Sequence, residues 1–287
     1  MRRVLYWTFR KVPVMRIPYL GRRMALLARR RDLTPELAAK ILDALDRAAD
    51  FYAKVTGREP PPVRVHKGRI TIAEVQGTCG AACAYLGQTG IEIMPAYLDV
   101  MVRAVRERGE FDQPLFYELG RNWWFWTRTL DVSPGSVCTG YAVFMRFLAM
   151  EAACVKGAPY QGWPFEEFRA ACLSLLDVYL ANPEAPSWEM LLSTSPVAVH
   201  TFVREGRNSI TLSTADLLAS LFDRLCQRHG GIDFFARFLK AAENLPESKT
   251  AADICANLVA AASSAAGRDL GDEFRAWKFS LTPSAAR

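Results

Sequence analysis

From Ala96 almost to its end the sequence repeats apolar residues at the spacing of helices, and that run restricts the fold more than any other feature. It divides into segments over about 96–108, 114–128, 139–155, 165–181, 214–228, 231–242, 250–265 and 269–277. Ahead of it lie one helix and a few short strands. Thr34 is placed to cap that helix and Pro35 to open it. Leu37, Ile41, Leu45, Ala48 and Tyr52 share one face, and Gly57 with Pro60, Pro61 and Pro62 ends the element. Residues 63–65 and 69–72 flank His66-Lys67-Gly68 as a hairpin. Residues 84–86 and 91–94, joined across Gly87 and Gly90, read as further strands. Helix, small sheet, then a helical half is an α+β order and not an alternating parallel α/β one.

The chain is 51% hydrophobic and 23% charged, a globular composition rather than a disordered one. Nothing in it approaches the roughly 20 apolar residues that span a bilayer. The first apolar run, residues 4–7, stops at Thr8, too short for a signal peptide. The expectation is a cytoplasmic protein. The seven cysteines are an odd number without a leader, which argues against a full disulfide framework. Most fall in helical pattern as small core residues. Cys79 and Cys83 stand apart, but no second pair follows them as a zinc site would require.

Net charge is +6, unevenly placed. Residues 1–31 hold ten Lys or Arg and no acid, while the rest holds 26 basic and 30 acidic residues. The basic pI therefore belongs to the first segment, and no general nucleic-acid surface is implied. Pro13 and Pro18 exclude a long helix there. Arginines mixed with Leu5, Tyr6, Trp7, Phe9 and Tyr19 read as an arm, either packed on the domain or directed to an anionic membrane surface or acidic partner.

Chemistry concentrates in residues 115–126, Leu115-Phe116-Tyr117-Glu118-Leu119-Gly120-Arg121-Asn122-Trp123-Trp124-Phe125-Trp126. Apart from Tyr117 and Arg121, this resembles the His-Glu-x-x-His helix of gluzincin-type zinc metallopeptidases, in the form His-Glu-Leu-Gly-His-Asn-Trp. In that motif positions i and i+4 put two imidazoles on one zinc, and the Glu between them is general base for the bound water. The run Thr139-Gly140-Tyr141-Ala142 and onward to Glu151 resembles the gluzincin second helix, whose opening Glu is the third ligand. Residues 84–93 resemble the edge strand above the active-site helix. Residues 220–231, 265–270 and 274–277 resemble the helical C-terminal part. The resemblance spans residues 60–281.

It implies a zincin-like α+β domain: a small twisted, mostly antiparallel sheet packed on two central helices, followed by a helical C-terminal half. The arm is residues 1–31, the sheet and active-site-like helix 32–138, and the helical half 139–287. The family also implies zinc, but its three ligand positions hold Tyr117, Arg121 and Thr139. A guanidinium is a fixed cation and cannot ligate. No metal and no cofactor are expected. Arg121, at i+3 from Glu118, is placed to take over part of the zinc's charge, and Tyr117 to bond nearby, for example to Thr139.

Three functions are expected, the first two from the resemblance and the third from the composition of residues 1–31. The first is a zinc-free pseudo-metallopeptidase that binds a peptide or protein in a cleft lined by Thr139, Asn122, Tyr85, Leu86, Gly87 and His200. Edge-strand residues 84–87 would pair with the peptide's main chain, unless they are an ordinary turn between core strands. The second is an enzyme of altered chemistry, with Glu118 as base, Arg121 as anion clamp and Tyr117 as proton donor. The third is an adaptor at the membrane periphery, directed by the arm. Trp123, Trp124, Phe125 and Trp126 read as a helix buried on all sides. His66 reads as an exposed turn residue and His229 as a cap for a helix C-terminus.

Overall fold

A computed structural model describes residues 2–29, 33–132, 135–193, 196–204, 206 and 208–281. In chain order the elements are β1 (Val4–Trp7), β2 (Pro13–Leu20), β3 (Met24–Ala28), α1 (Pro35–Thr56), β4 (Val65–His66), β5 (Arg69–Glu74), β6 (Ala82–Ala84), β7 (Ile91–Ile93), α2 (Pro95–Arg108), β8 (Glu110–Phe111), α3 (Pro114–Asn122), α4 (Thr127–Leu130) and α5 (Ser136–Ala152). There follow β9 (Lys156–Gly157), α6 (Phe165–Ala181), α7 (Trp188–Ser193), β10 (Ala198–Val203), β11 (Ser209–Ser213), α8 (Thr214–His229), α9 (Gly231–Ala242), α10 (Ala251–Ala266) and α11 (Gly271–Ala276). They form two units, Met1–Trp124 with Met145–Tyr160 and Phe125–Phe144 with Gln161–Arg287. This division replaces the expected boundary at residue 138, because α5 contributes its first half to one unit and its second half to the other.

In the first unit α1 begins and ends as its sequence requires. The Thr34 hydroxyl accepts from the Leu37 N–H, and Gly57 closes the helix in the left-handed region. Its buried stripe holds Ile41, Leu45, Ala48 and Tyr52 as expected. It also holds a charge, Asp46, which is 5% exposed. Asp46 accepts from the main-chain N–H groups of Arg22, Arg23 and Met24 at 2.6, 2.9 and 2.8 Å, which fastens the β2–β3 turn to the helix. Asp46→Ala leaves those donors buried or half-buried without an acceptor. It is expected to cost about 2 kcal/mol in denaturant unfolding.

The sheet runs β1-β2-β3-β5-β7-β6, with β4 on β5. Its centre is parallel, β3 to β5 and β5 to β7, while β1–β2, β2–β3, β4–β5 and β6–β7 are antiparallel. The sheet is therefore mixed. A parallel pair needs a crossover, and α1 is the crossover between β3 and β5.

Residues 4–28 are thus not an arm but three strands of this sheet; Arg30 and Arg31 lie outside the described residues. The physical reason is that the segment's cations find their acceptors elsewhere in the chain. Arg16, 6% exposed, donates through Nε to the Glu74 carbonyl at 2.6 Å. Arg29 pairs with the Glu74 carboxylate at 2.6 Å, and Arg23 with Asp50 at 3.1 Å and with Glu59. Met24 to Ala28 are all buried. Tyr6, with Val4 and Val14, packs on Leu27, Ala73 and Val75. Cys79, in the connection after β5, and Cys83, on β6, form a disulfide with Cα atoms 5.6 Å apart. Cys138, Cys172, Cys226 and Cys255 are buried free thiols and Cys154 is exposed.

The second unit is mostly helical. Capping boxes start α8 (Ser213 with Asp216) and α10 (Thr250 with Asp253), and Gly230 and Gly267 end them. Its core groups Tyr141, Phe144, Phe222, Phe235 and Phe238, with ring centroids 5.0–6.2 Å apart. Two expectations fail here. Strands β10 (Ala198–Val203) and β11 (Ser209–Ser213) pair antiparallel where no strand is expected. And the helix expected over 114–128 stops at Asn122 and restarts at Thr127. Trp123, Trp124 and Trp126 are buried, but in the connection and not on a helix.

Candidate functional site: the Glu118 cluster

Pro114 opens α3 at a position whose N–H needs no partner. The nine residues of this helix then set Tyr117, Glu118 and Arg121 on neighbouring rows. Arg121 Nη1 donates to the Tyr117 hydroxyl at 3.0 Å, and the guanidinium lies 5.7 Å from that ring's centre. Arg121 Nε stands 3.7 Å from Glu118 Oε2, an ion pair too long to be a hydrogen bond. The i,i+3 pair expected from the sequence is therefore present, but the directional bond goes to Tyr117. The Thr139 hydroxyl, in the second unit, donates to the Gly135 carbonyl at 3.1 Å.

Glu118 is 6% exposed. It accepts from the Ala84 N–H of β6, while its Oε2 is buried with no hydrogen-bond partner. Burial raises its pKa to about 7; the Arg121 charge and the Ala84 N–H pull the other way and are outweighed. A carboxyl poised there holds or releases a proton in the neutral range.

The other expected cleft residues of this unit are fastened to α3. Asn122, fully buried, donates from Nδ2 to the carbonyls of Tyr85 at 2.9 Å and Gly90 at 3.1 Å. It clamps the β6–β7 turn. The Gly87 N–H donates to the Arg121 carbonyl at 3.0 Å, with Gly87 at φ +64°. Tyr85 packs on Phe9 at 4.1 Å between centroids, and Leu86 is exposed. β6 does end the sheet as an edge strand. The Ala84 N–H, the Tyr85 carbonyl and the Gly87 N–H bond to α3.

His200 stands on exposed β10 in the second unit, edge-on to Phe202 at 4.7 Å. With Tyr179, Asn182 and Leu191 it lines a cavity of about 100 Å³. His66 is half-buried in β4, with burial and Lys67 lowering its pKa. His229 meets Glu273 at 3.1 Å at the end of α8. Among the described residues no group of three His, Cys, Asp or Glu is placed to hold a metal ion. Sequence reading missed one polar feature, a cavity of about 160 Å³ lined by Arg29, Glu74, Asp99, Arg103 and Arg106. It exists because β3 and β5 are neighbours, which no local pattern signals.

No protein-family model matches the sequence, and no curated protein matches it significantly. Solved structures do. Two are crystal structures of a functionally unknown conserved protein from Bacillus anthracis str. Ames, one of them a mutant. The mutant has a TM-score of 0.57 at 13% identity over 94% of this chain and 50% of its own. The other has 0.53 at 13% identity over 93% of this chain and 49% of its own. The chain spans about half the length of these neighbours, and at that identity the likeness is one of α+β fold alone.

Proposed function

We propose that this chain is a zinc-free, gluzincin-like pseudo-metallopeptidase whose Glu118–Arg121–Tyr117 cluster stands where the family holds its metal, and that it binds a peptide instead of hydrolysing it. The observation that carries the reading is the Arg121 guanidinium 3.7 Å from a buried Glu118. A fixed cation occupies the second ligand position and would repel Zn²⁺. The Ala84 N–H, the Tyr85 carbonyl and the Gly87 N–H are taken up by α3, which disfavours pairing of a peptide's main chain there. Recognition falls instead to side chains: Arg121, one quarter exposed, and half-buried Tyr117 suit a carboxylate. The ligand is a peptide that presents its C-terminal carboxylate or an acidic side chain.

Elemental analysis of the purified full chain, together with titration of a labelled peptide pool and its C-terminally amidated twin, tests this. Substoichiometric zinc is expected, with about tenfold weaker binding of the free-carboxylate pool to Arg121→Ala. Stoichiometric zinc that Glu118→Ala abolishes would overturn the reading. A second reading, Glu118 as general base of an altered hydrolytic reaction, is favoured by its pKa near 7 and its unfilled Oε2. Under it, turnover disappears in Glu118→Gln.

A further inference from the structure

The β1–β2 hairpin has two faces of different fate. Tyr6, Val4 and Val14 point inward onto the sheet. On the outer face Leu5 lies opposite Met15 and Trp7 opposite Pro13, and nothing among the described residues covers them. Leu5 is 55%, Trp7 50% and Met15 47% exposed, and Val12 at the tip is 53% exposed. Scattered exposed apolar residues are ordinary, but Leu5, Trp7 and Met15 on one face of one hairpin, with Val12 exposed at its tip, are a patch.

The strip has cations at both ends. Arg2 and Arg3 stand exposed at its open end, Arg10 and Lys11 at its tip, and residues 2–29 contain no Asp or Glu. The tip is held in place. The Phe9 N–H donates to the buried Glu92 carboxylate at 2.6 Å, and the turn is closed by Lys11 N–H to the Thr8 carbonyl at 2.8 Å. The face is presented by a fixed hairpin and not by a loose tail.

We propose that this face docks on an anionic phospholipid bilayer, with Leu5, Trp7 and Met15 at the level of the headgroup–acyl boundary and the four cations among the headgroups. Trp and aliphatic side chains gain by entering that boundary, and basic residues gain from acidic lipid within a Debye length. A second copy of the chain is a poorer occupant, since it would bring the same four cations against these. The inference is independent of the Glu118 cluster.

The test is sedimentation of the full chain with phosphatidylcholine vesicles, with and without phosphatidylglycerol. Binding is expected only to the anionic vesicles and is expected to weaken as salt is raised. It should fall about tenfold or more in Trp7→Ser/Met15→Ser, and similarly in Arg10→Glu/Lys11→Glu. All four side chains are exposed, so the variants should keep the parent melting temperature, which is measured alongside. Absence of binding to anionic vesicles, equal binding to both vesicle types, or full binding by either folded variant overturns the proposal. So does a wild-type dimer in light scattering that Trp7→Ser/Met15→Ser converts to monomer.

Discussion

Glu118→Gln is expected to make the protein more stable than the parent at pH 8, by about 2–3 kcal/mol, and to leave it nearly unchanged at pH 4. The reasoning starts from the buried carboxyl, whose pKa rises to about 7. An unfolded Glu titrates near its ordinary value, so between that value and 7 the folded protein holds a proton the unfolded chain has lost. Stability therefore declines as pH climbs through that window. Below it both states are protonated and the penalty vanishes. Above it both are ionised and the penalty is complete. Attraction between unit charges at 3.7 Å is worth on the order of 4 kcal/mol in a partly screened setting. Removing a carboxylate from water costs several kcal/mol, and Oε2 has no donor to offset it. Glutamine keeps the shape and an acceptor for the Ala84 N–H while removing the charge. Urea unfolding of both proteins at pH 4 and pH 8 decides the matter. A variant less stable at pH 8 would mean that the Arg121 pair outweighs burial, and that Glu118 is an ordinary ion-pair carboxylate.

This carboxyl also marks where sequence reading succeeded and where it stopped. The pairing of Arg121 with Glu118 follows from helix spacing alone and is legible once residues 115–126 are read as a helix, whereas the expectation for Tyr117 is a bond nearby, for example to Thr139, and not the one it accepts from Arg121. The Ala84 N–H on Glu118 and the Asn122 clamp on Tyr85 and Gly90 join residues more than 30 positions apart. No local pattern announces them, so edge residues that the structure fastens to α3 read as an open groove. The same limit acts on the fold. Caps such as Thr34 and Gly57 placed α1 correctly because a cap is local. Strand β3 was missed because it sits among arginines whose partners, Glu74 and Asp50, come later in the chain. Strand β10 was missed for another reason. Its side chains are all exposed or half-buried, so the alternation that betrays a strand is absent.

Gly140→Val is expected to destabilise the protein by about 3 kcal/mol, at the upper end of what overpacking does to a core. Gly140 stands on α5 one residue after Thr139, in the stretch that resembles the gluzincin second helix. Its place is set by packing within the second unit. A Cβ there would lie 2.5 Å from the Cβ of Leu218 and 3.0 Å from the Ala215 carbonyl oxygen, both on α8. The first distance is well inside contact, and neither atom is the far end of a flexible side chain. A mid-helix glycine normally weakens its helix by up to about 1 kcal/mol against alanine, so retaining one here reflects close approach of the two helices. The claim is sharpest as a cycle. Leu218→Ala alone removes a fully buried side chain and should itself lose about 2–4 kcal/mol through the cavity it leaves. In Gly140→Val/Leu218→Ala the valine methyl groups enter that cavity, and the combined loss should fall short of the sum by about 1–2 kcal/mol. Strict additivity would show that the valine does not use the space left beyond the Cβ of residue 218. The spacing of α5 and α8 would then be set by atoms that alanine keeps, the Leu218 Cβ and the Ala215 carbonyl.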